Sequence, residues 1–228
     1  MEGADYCVFR QLHMSFLGRE GSYTALVEWE IASGGHLTIE NCYLEVWDKN
    51  NAYGLAGVNM NGSPSIPAHL TMHHCTIAQI PNCMWFDAAV RLRVTGGDYA
   101  ASSVTIKNCS FVGCQTGIQI TNYTPGAMDI SYTATSDGTA DDWGGDGDLV
   151  NQSTDVYADY TAGDYRPAKD GHLHDAAAAI DGIDTDITGG PRSSGAAPDI
   201  GAWELQESAR RRRARYVHTG PRLVRRSA

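Results

Sequence analysis

Apolar and polar residues alternate along most of the first 135 positions, and the alternation returns at a regular distance. Three stretches align without gaps: His36-Leu-Thr-Ile-Glu-Asn-Cys-Tyr-Leu44, His69-Leu-Thr-Met-His-His-Cys-Thr-Ile77 and Ser103-Val-Thr-Ile-Lys-Asn-Cys-Ser-Phe111. Their shared form is x-apolar-Thr-apolar-x-(Asn/His)-Cys-x-apolar, at spacings of 33 and 34 residues. A weaker copy, Phe9 to Phe16, stands 28 residues before the first, and strand-like runs follow at Thr116–Thr121 and Ala127–Tyr132. A period of two turns one side of each strand inward. Self-similarity at a fixed longer period marks a solenoid, whose units bury a core only by stacking. The pattern therefore predicts an all-β chain: a right-handed, single-stranded parallel β-helix with coils of roughly two dozen residues plus loop insertions. The helix domain is expected over residues 1–206. Its coils occupy about 7–135, and Asp/Gly-rich loops and a closing segment occupy 136–206.

Stacking sets equivalent residues of successive coils about 4.8 Å apart. Cys42, Cys75 and Cys109 then form an internal column, and Asn41, His74 and Asn108 a polar column at a turn, where stacked amides can bond to one another. The six cysteines invite a disulfide reading. Repetition of equivalent positions along one axis favours packing of free thiols as small apolar residues instead, as a reducing compartment during synthesis also would.

Composition agrees with strands and turns: 25 glycines and only 19% charged residues. No run of 18 apolar residues is present, so no membrane partner is expected, and the first residues have neither the basic start nor the apolar run of a secretory signal. The net charge of −10 conceals two regions. Residues 1–207 hold all 27 acidic residues and nine of the 17 basic ones, a formal −18, while eight arginines beyond give +8. Such a body repels polyanions and such a tail attracts them. The Arg-rich arm, 207–228, with Arg210, Arg211, Arg212, Arg213 and Arg215 at its head, is the expected partner-binding element. It would dock on an acidic neighbour, and nucleic acid is expected only through it.

The last third contains Gly147-Asp-Leu-Val-Asn151, Asp164-Tyr-Arg-Pro167, Ala178-Ala-Ile-Asp-Gly182 and Pro198-Asp-Ile-Gly-Ala-Trp-Glu204, in that order. This succession resembles the C-terminal end of pectate-lyase-like right-handed β-helix proteins of bacterial surfaces and phage-derived sequences. The resemblance spans about residues 36–206, and it departs where Ser-Pro would precede Ala178. It implies the fold and a virion or extracellular setting rather than a reaction. Proteins of this kind usually begin with an amphipathic capping helix. Residues 1–8 are too short for one, so the first coil is expected to rest on a second copy or another assembly protein.

Candidate chemistry is sparse. Arg91 and Arg93, two apart on one outward strand face, could join Asp87 and Asp98 in a lyase acting on acidic polysaccharide. Asp141-Asp142 beside Trp143 could serve a hydrolase, but the flanking residues do not fit one. Asp142, Asp146 and Asp148, or Asp181, Asp184 and Asp186, offer oxygens suited to a calcium cofactor, without EF-hand spacing. The histidines His69, His73 and His74, and His172 with His174, hint at zinc, but His69 and His73 face away from His74 and cannot converge with it, and satisfied or exposed histidines are the expectation. The expectation is a non-enzymatic virion decoration, spike or tail-associated protein. The alternative is an extracellular carbohydrate-binding or lyase-type β-helix.

Overall fold

A computed structural model describes residues 6–17, 25–31, 35–47, 56–62, 67–79, 87–94, 101–122, 124–192 and 194–206. In it the alternation becomes five stacked rungs. The first rung is β1 (Tyr6–Arg10), β2 (His13–Leu17) and β3 (Ala25–Ile31); the second is β4 (Gly35–Glu40), β5 (Tyr43–Trp47) and β6 (Ala56–Gly62). The third is β7 (Ala68–His73), β8 (Thr76–Gln79) and β9 (Ala88–Val94); the fourth is β10 (Ser103–Lys107), β11 (Ser110–Phe111) and β12 (Thr116–Thr121). The last holds β13 (Ala127–Ser131) and β14 (Ala134–Thr135). Every third strand pairs in parallel with its predecessor, giving sheets β1-β4-β7-β10-β13, β2-β5-β8-β11-β14 and β3-β6-β9-β12. This is an all-β parallel β-helix. The weaker copy pairs at a 30-residue offset, Phe9 opposite Ile39, rather than 28. The two-residue difference keeps the same side chains inward, which is why the alternation alone did not resolve it.

Burial follows the period of two, so that Leu37, Ile39, Leu70, Met72, Val104 and Ile106 fill the interior while Thr38, Thr71 and Thr105 face out. Cys42, Cys75 and Cys109 lie inside, are free, and occupy matching places in their rungs. Each thiol reaches the carbonyl two residues before it, and Cys42 and Cys75 also reach the preceding rung, at Phe9 and Ile39. Thr133 takes this place in the fifth rung and donates to the carbonyls of Ile106 and Ser131. The thiols thus serve the corner as a hydroxyl would. Hydrogen bonding to Cys75 and burial hold the Cys42 thiol far above its usual range, and burial does the same for Cys75, so both stay protonated and inert.

Between the first and second sheets the chain turns through one left-handed residue per rung: Gln11, Asn41, His74, Asn108 and Tyr132, all at φ between 50 and 57°. Asn accepts this conformation most readily; elsewhere it costs roughly 1–2 kcal/mol. The corner points the side chain outward, and there the C-terminal segment covers it. Asn108 donates to the carbonyl of Ala178 at 2.7 Å and accepts from its N–H at 3.1 Å, and its second amide hydrogen reaches His74 Nε2 at 2.9 Å. Asn41 donates to the Thr185 carbonyl at 2.8 Å and accepts from Arg192. Gln11 reaches the Asp186 carbonyl. The chain after residue 172 therefore runs back along the corners from the fourth rung to the first. The polar column holds this returning strap and also bonds within itself at His74–Asn108. Burial, with Arg192 adding to it, drives His74 down to about 2, so it is neutral.

The strap and the antiparallel pair β15 (Tyr157–Asp159) and β16 (Asp164–Pro167) cover the outer face of the second sheet. That face is lined by Thr76, Ala78, Ser110, Val112 and Ala134, all buried, leaving room for a second core of Tyr157, Tyr165, Leu173 and Ile200. Tyr43 ends the row against Trp203 and Tyr165, at ring distances of 4.9 and 5.3 Å. Gly201 sits at φ 106°, and a Cβ there would lie 2.7 Å from Thr76 Oγ1.

The Asn108 clasp yields a direct test. Chemical unfolding of Asn108→Ala should show a loss of about 2–4 kcal/mol, from three hydrogen bonds and an unfavourable φ. Asn108→Gly should lose about 1 kcal/mol less, because only the bonds go. Equal losses would contradict the left-handed corner.

Candidate functional site

The two ends of the stack differ. At the C-terminal end local chain covers part of the fifth rung. The N–H of Tyr132 donates to the Asp146 carbonyl, that of Leu149 to Thr133, that of Thr135 to Leu149 and that of Gln152 to Thr135. Leu149 also bridges Ala134 in parallel. Gly145 lies so near the Ile130 carbonyl that no side chain would fit there. On the third sheet, the N–H groups of Gly117 and Ile118 end on the Asp137 and Thr139 side chains. The β14 edge and the corner after β13 are thus occupied by local chain, while β13 keeps one strand neighbour, β10.

At the other end β1, β2 and β3 each have one strand neighbour, in the second rung. Phe9, Met14 and Trp29 stand above Ile39, Leu44 and Met60, which are fully buried, yet are themselves only partly covered. Val8 and Leu12 are 50 and 40% exposed. Among the described residues this rung carries unpaired edges over a partly uncovered core. A charged ladder crosses the outer face beside it: Arg10 meets Glu40 at 2.5 Å, His73 lies 3.9 Å from Glu40, and Lys107 meets Asp129 at 2.6 Å.

The lyase candidates are placed as follows. Arg91 and Arg93 both point outward on β9, in the columns Asn59-Arg91-Gln119 and Asn61-Arg93-Thr121. Arg91 is only 7% exposed, because it is held by Asp87 at 2.5 Å and Gln119 at 2.7 Å. Arg93 is exposed and Asp98 lies outside the described residues. Among the calcium candidates, Asp142 and Asp146 are exposed, while Asp148 accepts from the N–H of Thr133 at 2.8 Å and its other oxygen is buried without a hydrogen bond. Their ligand atoms do not form a close group. In the second set Asp186 turns inward and accepts from Thr188, Gly190 and Glu204, whereas Asp181 and Asp184 are exposed. Asp141, Asp142 and Trp143 form an exposed 3-10 turn. The outward histidines His36 and His69 stack at 4.3 Å, and His172 bonds Gln152. Arg210, Arg211, Arg212, Arg213 and Arg215 lie outside the described residues.

Sequence reasoning missed the charged centre beneath the strap. Arg192, 2% exposed, donates to Asn41 Oδ1 and to the carbonyls of Gly201 and Ala202, with Glu204 at 3.9 Å. Glu204 accepts the N–H of Asp199 and Asp199 accepts that of Leu205, so the Asp-Ile-Gly-Ala-Trp-Glu run ties itself into a loop. Burial lowers Arg192 to about 10 and raises Glu204 to about 7 and also Asp199. The spacing Asp-x4-Glu, once seen as a closed loop, was the available signal.

No helix among the described residues is long and apolar enough to cross a membrane. The class defined by this geometry is an all-β parallel β-helix. No family model matches the chain, and no curated protein or solved structure matches it either.

Asp148 offers a test of the partly covered end. Burial, and then the carboxylates of Asp141, Asp129 and Asp146, raise it to about 6 from an ordinary 3.8. A carboxyl raised in the folded state contributes most below pH 3.8 and loses that contribution as pH climbs through 6. Asp148→Asn should therefore gain a few degrees in Tm over wild type between pH 4 and 7. A Tm difference constant across that range would contradict the assignment.

Proposed function

We propose that this protein is a structural component of an assembly, a β-helix whose first rung is completed by a second copy of the chain. The observation that carries this reading is the contrast between the two ends. Among the described residues the first rung is paired on one side only, over partly covered Phe9, Met14 and Trp29, and such an edge is a template for further pairing. In the fifth rung Leu149 and Gln152 take the β14 edge, so head-to-tail stacking would find only part of the matching edge free. Two copies therefore meet first rung to first rung across a two-fold axis, an arrangement that closes as a dimer instead of growing into a fibre.

The setting we propose is a virion or an extracellular surface, in the manner of a phage decoration, spike or tail-associated protein. The supporting signal is the resemblance of the Asp199–Glu204 run and its companions to β-helix proteins of that kind. The eight arginines after residue 207, facing a body of −18, suit a basic arm that reaches an acidic neighbouring copy.

Sedimentation of the full chain at micromolar concentration should show a dimer. Val8→Lys with Leu12→Lys should give a folded monomer, since charge on an edge strand opposes pairing. A wild-type monomer, or a dimer indifferent to both substitutions, overturns the reading. Cleavage of polygalacturonate that disappears in Arg91→Ala would replace it with the lyase alternative.

A further inference from the structure

Leu173 is buried under the strap, and the two residues after it turn back toward the closing loop. His174, Asp175 and Asp199 there present one ligand atom each, all within 4.8 Å of one another. We propose that His174, Asp175 and Asp199 bind a single divalent transition-metal ion of the zinc class.

Three observations carry this. First, the donors are already oriented. Asp175 is held at φ 55°, and its Oδ1 accepts from the N–H groups of Ala196 at 2.7 Å and Ala197 at 3.1 Å, while Oδ2 lies 3.7 Å from His174 Nε2. Asp199 is fixed by the N–H groups of Asp175 at 2.7 Å and Leu205 at 2.6 Å, which leaves lone pairs on both oxygens. Backbone bonds of this kind are what orient a carboxylate ligand. Second, His174 Nε2 is inaccessible and has no hydrogen-bond partner, although the side chain as a whole is 14% exposed. A buried imidazole nitrogen left unmatched is costly, and a metal ion satisfies it. Third, Asp199 is fully buried beside a second carboxylate, so a cation offsets two negative charges in a poorly solvated place.

One imidazole nitrogen and two carboxylate oxygens suit zinc at tetrahedral geometry, with a water as fourth ligand. Calcium, which takes six to eight oxygens, is poorly served. The ion would join the turn at 174–175 to the closing loop at 195–205, and so would staple the strap over the second sheet.

The test uses the full chain, freed of metal by chelation and then titrated with cobalt(II) as a visible probe. The expected spectrum has d–d bands of a nitrogen and oxygen site without thiolate charge transfer, at one ion per chain, and zinc displaces it. His174→Gln should weaken binding at least about 100-fold, whereas His172→Ala, two residues away and exposed, should not change it. In parallel, zinc at a hundredfold excess over its Kd should raise the Tm of the wild-type chain by about 5 °C or more, with no such shift from calcium or magnesium. A thiolate spectrum, cobalt binding unchanged in His174→Gln, or a wild-type Tm that zinc leaves in place overturns the proposal. The Tm arm needs no variant, so it decides the matter even if His174→Gln does not fold.

Discussion

The architecture hangs on one repeated backbone constraint, the left-handed residue that turns the chain from the first sheet to the second in every rung. Gln11, Asn41, His74, Asn108 and Tyr132 keep this conformation at the same place. The turn fixes the register of both sheets, because the strand before it and the strand after it are then in step with the rung below. It also directs a side chain outward where a strand residue could not go. Three of these side chains, Asn41, His74 and Asn108, are buried under the returning strap. The corner therefore joins two structures that are far apart in sequence: the stack before residue 135 and the segment after 172.

Covering the corner gives the molecule two cores that share the second sheet. Its inner row, Leu44, Ile77 and Phe111, belongs to the coil interior. Its outer row, Tyr43, Ala78, Val112 and Ala134, belongs to the aromatic core under the strap. Most polar groups that enter this second core do so with partners, Tyr43 Oη being an exception. Tyr157 Oη meets Ser110 Oγ at 2.6 Å, Tyr160 Oη donates to the Gln79 carbonyl at 2.7 Å, and the N–H of Ala202 donates to Thr76 Oγ1 at 2.9 Å. Arg192 is the charged member of the network: its Nε and Nη2 donate to Asn41 and two carbonyls, and its Nη1 has only Glu204 at 3.9 Å. The same strap therefore leaves the face that a partner could use at the first rung rather than on the side of the second sheet.

Much of the stack was legible in the sequence because stacking makes equivalent residues repeat. The three Thr-apolar-x-(Asn/His)-Cys segments stand in register, residue for residue, over β4, β7 and β10. Repetition could not reveal the strap, which occurs once. Its partners are single contacts such as Asn108 with Ala178, 70 residues apart. A trace was present in the outward positions of the second sheet, where Thr76, Ala78, Ser110 and Ala134 are too small and too apolar for a solvated face. Of the candidate metal group only His174 was legible, for the same reason. His174 and Asp199 are brought together by the closing loop, and neighbouring histidines in sequence, His172 and His174, point to different surroundings. The lyase and calcium candidates, by contrast, are near in sequence; nearness joins Arg91 to Asp87 as an ion pair but gathers no group of calcium ligands.

The central claim is that the strap is part of the folded core, held by the corner column, and not a loosely attached tail. Native-state hydrogen exchange at the amides of Ala178, Gly201 and Ala202 tests it most directly, since these donate to Asn108 Oδ1, the Asn108 carbonyl and Thr76 Oγ1. The account predicts that they exchange as slowly as the amides of Thr76 and Ile106 inside the stack, through the same global opening. Exchange of the three amides by a separate, much easier opening, with the stack still protected, would contradict it.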